Sequence, residues 1–217
     1  MDLKKTTAGR AAFTLIELLV VITIIAILMA LLFPAFKGVQ DQAKRTQAKN
    51  DVTQVVTAVN AFYTEYGRYP VPGSPGVPDY LILDGNIQNL MDVLRADGLS
   101  WDSSSAENLN PKRIVFMSPP YAKDATNPRG GIAPGTGTNA GKYYDPWGST
   151  YRFRIDWDYD NNLVNPYTAG AGNSPLSGGV IGFSIGKDQV SDADSNTGKR
   201  NVSGQTNNGD DDVISWQ

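Results

Sequence analysis

The chain has 217 residues, and its 19 lysines and arginines against 22 aspartates and glutamates give it a formal net charge of −3. This balance gives no support to nucleic-acid binding, which depends on a surplus of basic side chains. Because the sequence contains no cysteine and no histidine, disulfides, zinc sites built from those two ligands and catalysis by histidine are excluded.

The N-terminal segment is predicted to anchor the chain in a membrane. Residues 13–36 form an apolar run of 24 residues, which as a helix would extend about 36 Å and cross the apolar core of a bilayer. The 12 residues before it carry a net charge of +2, and this bias favours keeping them in the cytoplasm while the rest is exported. We therefore expect one membrane pass and a domain outside the cytoplasm.

One long helix is expected from about Phe13 to Glu65. Beyond the membrane segment, apolar residues recur at steps of three and four from Val39 to Tyr66, which is the spacing of a helix with one apolar face. Pro34 and Gly38 permit a bend in this helix, and Gly67 with the prolines after it ends the helix. The second half therefore needs a partner surface for its apolar face.

Residues 71–142 look irregular, with two exceptions. The stretch "NIQNLMDVLRADG" predicts a short amphipathic helix capped near Gly98, and "RIVFM" predicts a buried strand. The stretch "TNPRGGIAPGTGTNAGK" reads as a loop rich in glycine and proline. Its glycines do not match a phosphate-binding pattern and lack a strand–turn–helix context, so we expect no nucleotide site there.

The C-terminal third predicts antiparallel strands in "STYRFRID", "NLVNPY", "GVIGFSIG" and "DVISW". The long helix packed on this small sheet gives an α+β fold. Just before the first strand, "DPWGS" predicts a turn, in which Asp145 bonds back to the backbone and Gly148 adopts an angle strained for other residues. Trp147 would then be a packing anchor.

Two acidic stretches could hold a metal. Between Gly186 and Asp212 the chain contains six aspartates among Ser, Thr, Asn and Gly, with too few apolar residues to order a loop by burial. Oxygen ligands suit Ca²⁺, and an ion joining Asp188 to Asp211 and Asp212 would close this loop and fix both strand ends. The alternative is an acidic loop that is simply solvated.

The second acidic stretch is "DWDYDNN", where Asp156, Asp158 and Asp160 alternate as at the start of an EF-hand loop. It has Asn161 where that loop needs glycine, and Tyr167 where it needs a glutamate. We therefore interpret it as a hairpin turn, with residues 160–162 making the reversal.

The stretch "AFTLIELLVV" resembles the processing signal of type IV pilin-like precursors, in which a dedicated peptidase cuts before the phenylalanine and methylates the new amine. The resemblance implies a cut between Ala12 and Phe13, a leader of residues 1–12, a membrane and filament-core helix of residues 13–36, and a periplasmic domain of residues 37–217. Ala12 stands where the family usually has glycine. A cut after Gly9 is disfavoured because it would move Glu17 from position five to position eight.

Glu17 is predicted to be an assembly residue. A lone carboxylate in a bilayer is costly, and pairing it with a charge removes much of that cost. After cleavage, the amine of Phe13 on a neighbouring subunit could neutralise Glu17 inside a shared helical bundle. The alternative is an acid that merely lies near the membrane interface.

Further blocks resemble the major pseudopilin of type II secretion systems: "NAFYTEYGRYP", "YYDPWGSTYRFR", "FSIGKDQ" and "DDDVISW". The resemblance implies calcium ligands at Ile185, through its backbone carbonyl, and at Asp188, Asp211 and Asp212, through their carboxylates. Residues 71–142 do not match the family closely.

The function implied is that of a structural subunit, anchored in the inner membrane and then polymerised through its N-terminal helices into a filament that drives export. The implied partners are copies of the chain, minor pseudopilins, prepilin peptidase, the inner-membrane assembly platform and, before assembly, membrane lipid. A type IV pilus pilin, acting in adhesion, motility or DNA uptake, is the alternative; such pilins commonly close a loop with a disulfide, which this chain cannot form. An anchored glycosidase with two acids is not expected, because the acidic clusters lie in turns and a loop.

Overall fold

The structure is a computed structural model that describes residues 14–72, 78–97, 109–167, 171–189 and 212–216. The chain divides into two compact units, Met1–Gln42 and Ala43–Gln217. The described part of the first unit is helical. The second unit contains the remainder of that helix, a second helix and every described strand.

Helix α1 runs from Leu15 to Tyr66. Within the described residues this confirms the predicted long helix, which continues through Pro34 and Gly38. It ends as predicted, because Gly67 takes a φ of 65° and its N–H donates to the carbonyl of Tyr63 at 2.8 Å. In the part of the chain that the structure describes, α1 is the one helix long and apolar enough to cross a membrane.

In the second unit, helix α1 packs on a four-stranded antiparallel sheet in the order β1-β4-β7-β8. The strands are β1 (Asp79–Ile82), β4 (Arg152–Asp156), β7 (Val180–Ser184) and β8 (Val213–Ile214). The helix buries one side chain per turn against this sheet, at Ala48, Val52, Val55, Val59 and Phe62. The predicted α+β class is therefore confirmed.

The helix approaches the sheet closely at Gly182, in the middle of β7. A Cβ atom placed there would lie 2.9 Å from Cγ1 of Val52 and within 2.5 Å of the Phe153 ring. Phe153 is also the cross-strand partner of Gly182. Only glycine leaves room at this contact, so Gly182 sets how near the helix and the sheet can come.

The predicted alternation in β4 is also confirmed, since Tyr151, Phe153 and Ile155 are all buried. Two further pairs of strands are short. Strand β2 (Gly131–Ile132) pairs with β3 (Tyr143–Tyr144), and β5 (Asn162–Leu163) pairs with β6 (Leu176–Ser177).

Helix α2 spans Ile87–Arg95 and buries its apolar face, as the pattern predicts. The predicted cap near Gly98 is corrected, because Ala96 takes the left-handed conformation, with a φ of 54°. The N–H of Asp97 then reaches the carbonyl of Asp92. The helix thus ends two residues earlier than expected, and Gly98 itself lies outside the described residues.

The prediction of a strand at "RIVFM" is wrong. These residues pair with no described strand: Arg113 takes a left-handed conformation with a φ of 51°, and the N–H groups of Phe116 and Met117 donate to the carbonyl of Leu94 at the end of α2. Val115 is exposed. Conversely, strand β1 was not predicted in the region 71–142, although it pairs along its whole length with β4.

Candidate functional site

Glu17 lies in the first turn of α1 and is bonded to the residue that caps it. One oxygen of Glu17, Oε2, accepts from the N–H of Thr14 at 2.9 Å and from its hydroxyl at 2.8 Å, while the N–H of Glu17 donates to Oγ1 of Thr14 at 3.3 Å. This reciprocal arrangement is a capping box, whose sequence pattern of Thr-x-x-Glu before an apolar run could have been recognised. Ala12 and Phe13 lie outside the described residues.

From Leu18 to Phe33 the residues of α1 are apolar on all sides of the helix, apart from Thr23. The large hydrophobic side chains of the helix between Leu15 and Val39 are exposed, Phe33 by 65%. The hydroxyl of Thr23 is satisfied inside the helix by the carbonyl of Leu19 at 2.8 Å. A helix that is apolar all round must be covered by lipid or by other apolar helices. The carboxyl of Glu17 is therefore an isolated acidic group on a helix surface that suits lipid or contact with other apolar helices.

Of the four predicted calcium ligands, the structure brings two together. Ser184 pairs with Val213 in the ladder of β7 and β8, so Ile185, just after β7, and Asp212, just before β8, lie side by side at the same end of the sheet. Asp188 follows in the turn after Ile185. Asp211 lies outside the described residues, as does most of the acidic loop. The ligand set stays a prediction.

Asp212 is deeply buried, with 2% of its surface exposed. Its Oδ2 accepts a hydrogen bond of 2.6 Å from the hydroxyl of Tyr167. Tyr167 in turn packs edge-on against Phe183 and near Trp216. This small aromatic cluster fixes the end of the sheet that carries the predicted site, and Tyr167 was not identified from the sequence as part of it.

The predicted "DPWGS" turn is confirmed. Oδ1 of the buried Asp145 accepts from the N–H groups of Trp147, Gly148 and Ser149 at 2.8–2.9 Å, and Oδ2 accepts from the hydroxyl of Ser184 at 2.6 Å. Burial raises the pKa of Asp145, and these four hydrogen bonds lower it in part. Because every contact ends within the fold, Asp145 is a structural residue that ties the turn to β7.

A second buried acid, Asp51, was not noticed in the sequence although it lies in the apolar stripe of α1. Its Oδ2 accepts a hydrogen bond of 2.8 Å from the hydroxyl of Tyr151, and Tyr143 bonds to the same carboxyl. Burial raises the pKa of Asp51, with partial compensation from these two hydroxyls. This group joins the helix to the start of β4.

The acidic stretch "DWDYDNN" forms a turn, as predicted, but it does not form a hairpin. Strand β5 pairs with β6 and not with β4, because the chain curls through left-handed conformations at Tyr159 and Asn161. One carboxyl oxygen each of Asp156, Asp158 and Asp160 lies within 4.8 Å of the others. The structure thus brings three aspartates close together, whereas the sequence predicted only a reversal of the chain here.

Comparison with known proteins finds matches to the N-terminal segment and to part of the rest of the chain. A family model, the prokaryotic N-terminal methylation motif, matches residues 7–33. The chain is similar to the type II secretion system core protein G of Klebsiella michiganensis, with 32% identity over 93 residues, covering 38% of this chain and 66% of that protein. The protein of the same name from Pseudomonas aeruginosa is 39% identical over 61 residues, which cover 28% of this chain and 43% of that protein.

These matches support the resemblance of the chain to type IV pilin-like major pseudopilins. The chain is also similar to the type IV major pilin protein PilA of Myxococcus xanthus, with 42% identity over 69 residues, covering 32% of this chain and 31% of that pilin. The chain thus spans between 31% and 66% of the length of these three relatives. No solved structure matches it.

Proposed function

We propose that the chain is a structural subunit of the type II secretion pseudopilus. The observation that carries this proposal is the methylation motif at residues 7–33, which overlaps the first half of a helix, where the large apolar side chains are exposed. Such a helix suits a membrane before assembly and a bundle of equal helices after it. Similarity to core protein G favours the secretion filament.

In this proposal, prepilin peptidase cuts between Ala12 and Phe13 and methylates the new amine. The subunit begins in the inner membrane, with one pass and its C-terminal domain in the periplasm. An assembly platform in that membrane then adds it to a filament of equal subunits, which minor pseudopilins accompany. The contact between subunits is heterologous and open-ended, as a filament requires. Growth of the filament drives proteins across the outer membrane, and the chain itself is no enzyme.

Glu17 is proposed to pair with the amine of Phe13 on a neighbouring subunit. The capping bonds from Thr14 engage one of its carboxyl oxygens, Oε2. A buried acid and amine, each costly alone, stabilise each other within the bundle. The N–H of Thr14, which any residue but proline at that position would supply, thus holds the acid before assembly, and the amine neutralises it afterwards.

A calcium site at the C-terminal loop is proposed from Ile185, Asp188, Asp211 and Asp212. The adjacency of Ile185 and Asp212 at the sheet end supports it, since a carbonyl and a carboxylate are ligands that Ca²⁺ prefers. The ion would supply a bridge between the two ends of a long polar loop. We expect millimolar Ca²⁺ to raise the melting temperature of the detergent-solubilised chain after chelator treatment, and no change would contradict the site.

The first experiment is intact mass spectrometry with N-terminal sequencing of the chain from membranes with and without prepilin peptidase. We expect a mature chain that begins with N-methylated Phe13 only when the peptidase is present. An uncut chain, or a cut beyond the apolar segment by another peptidase, would overturn the filament proposal. A cut after Gly9 would leave the assembly route intact but would contradict the role given to Glu17.

A type IV pilus pilin is the second candidate, favoured by the similarity to PilA. Deleting the gene in the producing bacterium separates the two. Accumulation of exported proteins in the periplasm, with surface pili unchanged, supports the pseudopilin. Loss of pili with normal secretion supports the pilin.

A further inference from the structure

We propose that the turn after β4, residues 156–161, binds a divalent cation through carboxylate oxygens, and that Ca²⁺ is the ion it fits best. This site, called here the turn site, is separate from the C-terminal loop discussed above. It consists of Asp156, Asp158 and Asp160, with the adjacent Asp79 as a fourth acid.

The three aspartates of the turn site converge. One oxygen of each lies within 4.8 Å of the others, although like charges at that distance repel one another. Asp158 and Asp160 are exposed, whereas Asp156 is buried, with 2% of its surface exposed. The mouth of the site is thus open to solvent and its floor is a buried carboxylate.

At the floor of the turn site, one of the two carboxyl oxygens of Asp156 lacks a hydrogen-bond partner in the described part of the chain. Oδ2 of Asp156 accepts the N–H of Asn161 at 2.9 Å. The other oxygen, Oδ1, is buried and has no hydrogen-bond partner among the described residues. A buried acceptor that lacks a donor is unfavourable, and a cation is the ligand that would satisfy it.

The neighbouring strand adds negative charge at the same place. Asp79 is the cross-strand partner of Asp156, so both side chains stand on the same face of the sheet. Asp79 is buried, and its Oδ1 also lacks a hydrogen-bond partner within the described ranges. Its Oδ2 accepts from the N–H of Val164 at 2.9 Å and from Nη1 of Arg154 at 3.4 Å.

The charges around the turn site do not balance. Four carboxyls face one guanidinium, because the pair of Arg154 with Asp79 is the one ion pair that the described residues provide for these acids. Like charges directly opposite each other in a sheet are destabilising. A divalent cation would offset most of the remaining negative charge.

The turn departs from the EF-hand pattern at two positions, with Asn161 in place of glycine and Tyr167 in place of glutamate. The backbone conformation compensates for the first departure. Asn161 occupies the sixth position of the turn, where EF-hand loops place glycine for a sharp bend, and it takes the left-handed conformation with a φ of 61°. The second departure is not compensated, because the hydroxyl of Tyr167 at the twelfth position is bonded to Asp212. The N–H of Asn162 also occupies Oδ1 of Asp160 at 2.7 Å. With few strong ligands and water completing the shell, the affinity expected is that of weak extracellular sites, about 10⁻⁴–10⁻³ M.

The chain carries its own probe for the turn site, because Trp157 lies between two of the acids. Tb³⁺ occupies calcium sites and emits light when a nearby indole is excited. We would titrate Tb³⁺ into the full, chelator-treated chain in detergent and excite tryptophan. We expect emission that added Ca²⁺ removes at lower concentration than Mg²⁺. Trp157→Phe should remove the part of it that comes from the turn site and leave the part that Trp216 excites at the C-terminal loop.

The variants decide whether the acids hold the ion. Asp158→Asn with Asp160→Asn changes two exposed residues, so the fold should persist, and it is expected to lose the Trp157-dependent emission and one bound Ca²⁺ per chain in calorimetry. Asp188→Asn, a matched change in the C-terminal loop, should leave that emission intact. Emission that depends on Trp157 and survives the double variant, or that Ca²⁺ does not displace, would overturn the proposal whether or not the chain is a pseudopilin.

Discussion

The two halves of helix α1 are both rich in apolar residues, but they differ in whether these side chains are exposed or buried. In the first half, residues 15–39, the large apolar side chains are exposed, whereas in the second half Val52, Val55 and Phe62 are completely buried. The first half is apolar on all sides and the second has only a stripe. The apolar stripe packs on the chain's own sheet, whereas the first half needs lipid or other apolar helices to cover it.

The largest effect on folding is expected from Phe62→Ala. The ring of Phe62 is fully buried and lies 4.6 Å from the ring of Tyr66 and 5.2 Å from that of Phe116, measured between centroids. Its removal should lower the free energy of unfolding by about 3–5 kcal/mol, since it leaves a cavity as well as losing apolar contact. Urea unfolding of the detergent-solubilised chain, followed by tryptophan fluorescence, measures the loss.

Phe33→Ala is the matched control for that experiment. Phe33 lies on the same helix but in its exposed half, so we expect the free energy of unfolding to change by less than about 0.5 kcal/mol. If both variants lost similar stability, the contrast between the two halves of α1 would be wrong.

A slightly smaller effect is expected from Asp145→Ala, which tests the sheet on which the second half of α1 rests. The substitution leaves three backbone N–H groups and the hydroxyl of Ser184 without their acceptor. The hydrogen bonds from Trp147 and Ser184 are buried, whereas those from Gly148 and Ser149 are only partly buried, so water can replace the lost acceptor there. Because each buried donor left unsatisfied costs about 1–3 kcal/mol, the two buried donors give an expected loss of about 3 kcal/mol in urea unfolding.

Asp124→Ala provides the control for Asp145→Ala. Asp124 also accepts two backbone N–H groups and a hydroxyl within its own turn, those of Thr126 and Asn127, but it is exposed. Water can replace this acceptor, so the expected loss is clearly smaller than that of Asp145→Ala. Equal losses would show that burial of Asp145 contributes nothing.

A third prediction concerns the pH dependence of stability that is caused by Asp51, the buried acid in the second half of α1. Burial raises the pKa of Asp51, so the folded chain keeps this proton to higher pH than the unfolded chain does. The contribution of Asp51 to stability is then largest below the unfolded pKa, about 4, and is lost as the pH rises through the folded pKa. We expect wild type to lose stability relative to Asp51→Asn from about pH 4 upward.

Two controls belong to that prediction. Tyr151→Phe removes the 2.8 Å hydrogen bond to Asp51 and should cost about 1–2 kcal/mol in urea unfolding at neutral pH. Asp124→Asn should show the opposite slope, because hydrogen bonds from Thr126 and Asn127 lower the pKa of Asp124. A difference between wild type and Asp51→Asn that does not vary with pH would contradict the raised pKa.

Local sequence patterns predicted much of the fold. The span of α1, its end at Gly67, the alternation in β4 and the "DPWGS" turn each depend on spacing or turn chemistry within a few residues. The capping box of Thr14 and Glu17 is equally local, and was missed only because the acid was interpreted through its cost in a membrane.

Features that depend on distant residues were not predictable in the same way. Strand β1 has four residues and no strong pattern, and it is defined by its pairing with β4. "RIVFM" has a strand-like composition, but the end of α2 takes its hydrogen bonds. The gathering of Asp79 with Asp156 likewise follows from strand register, which sequence spacing does not contain.

The smallest effect on folding, and the sharpest test of the first half of α1, concerns Glu17 and Thr14. Glutamine also completes a capping box, so Glu17→Gln keeps the cap and removes the charge. Thr14→Ala keeps the charge and removes the hydroxyl, at about 0.5–1 kcal/mol of helix stability. We expect Glu17→Gln to unfold like wild type but to form no filaments, and Thr14→Ala to assemble. Filament yield in sheared fractions measures this, and the reverse result would make Glu17 a helix cap and nothing more.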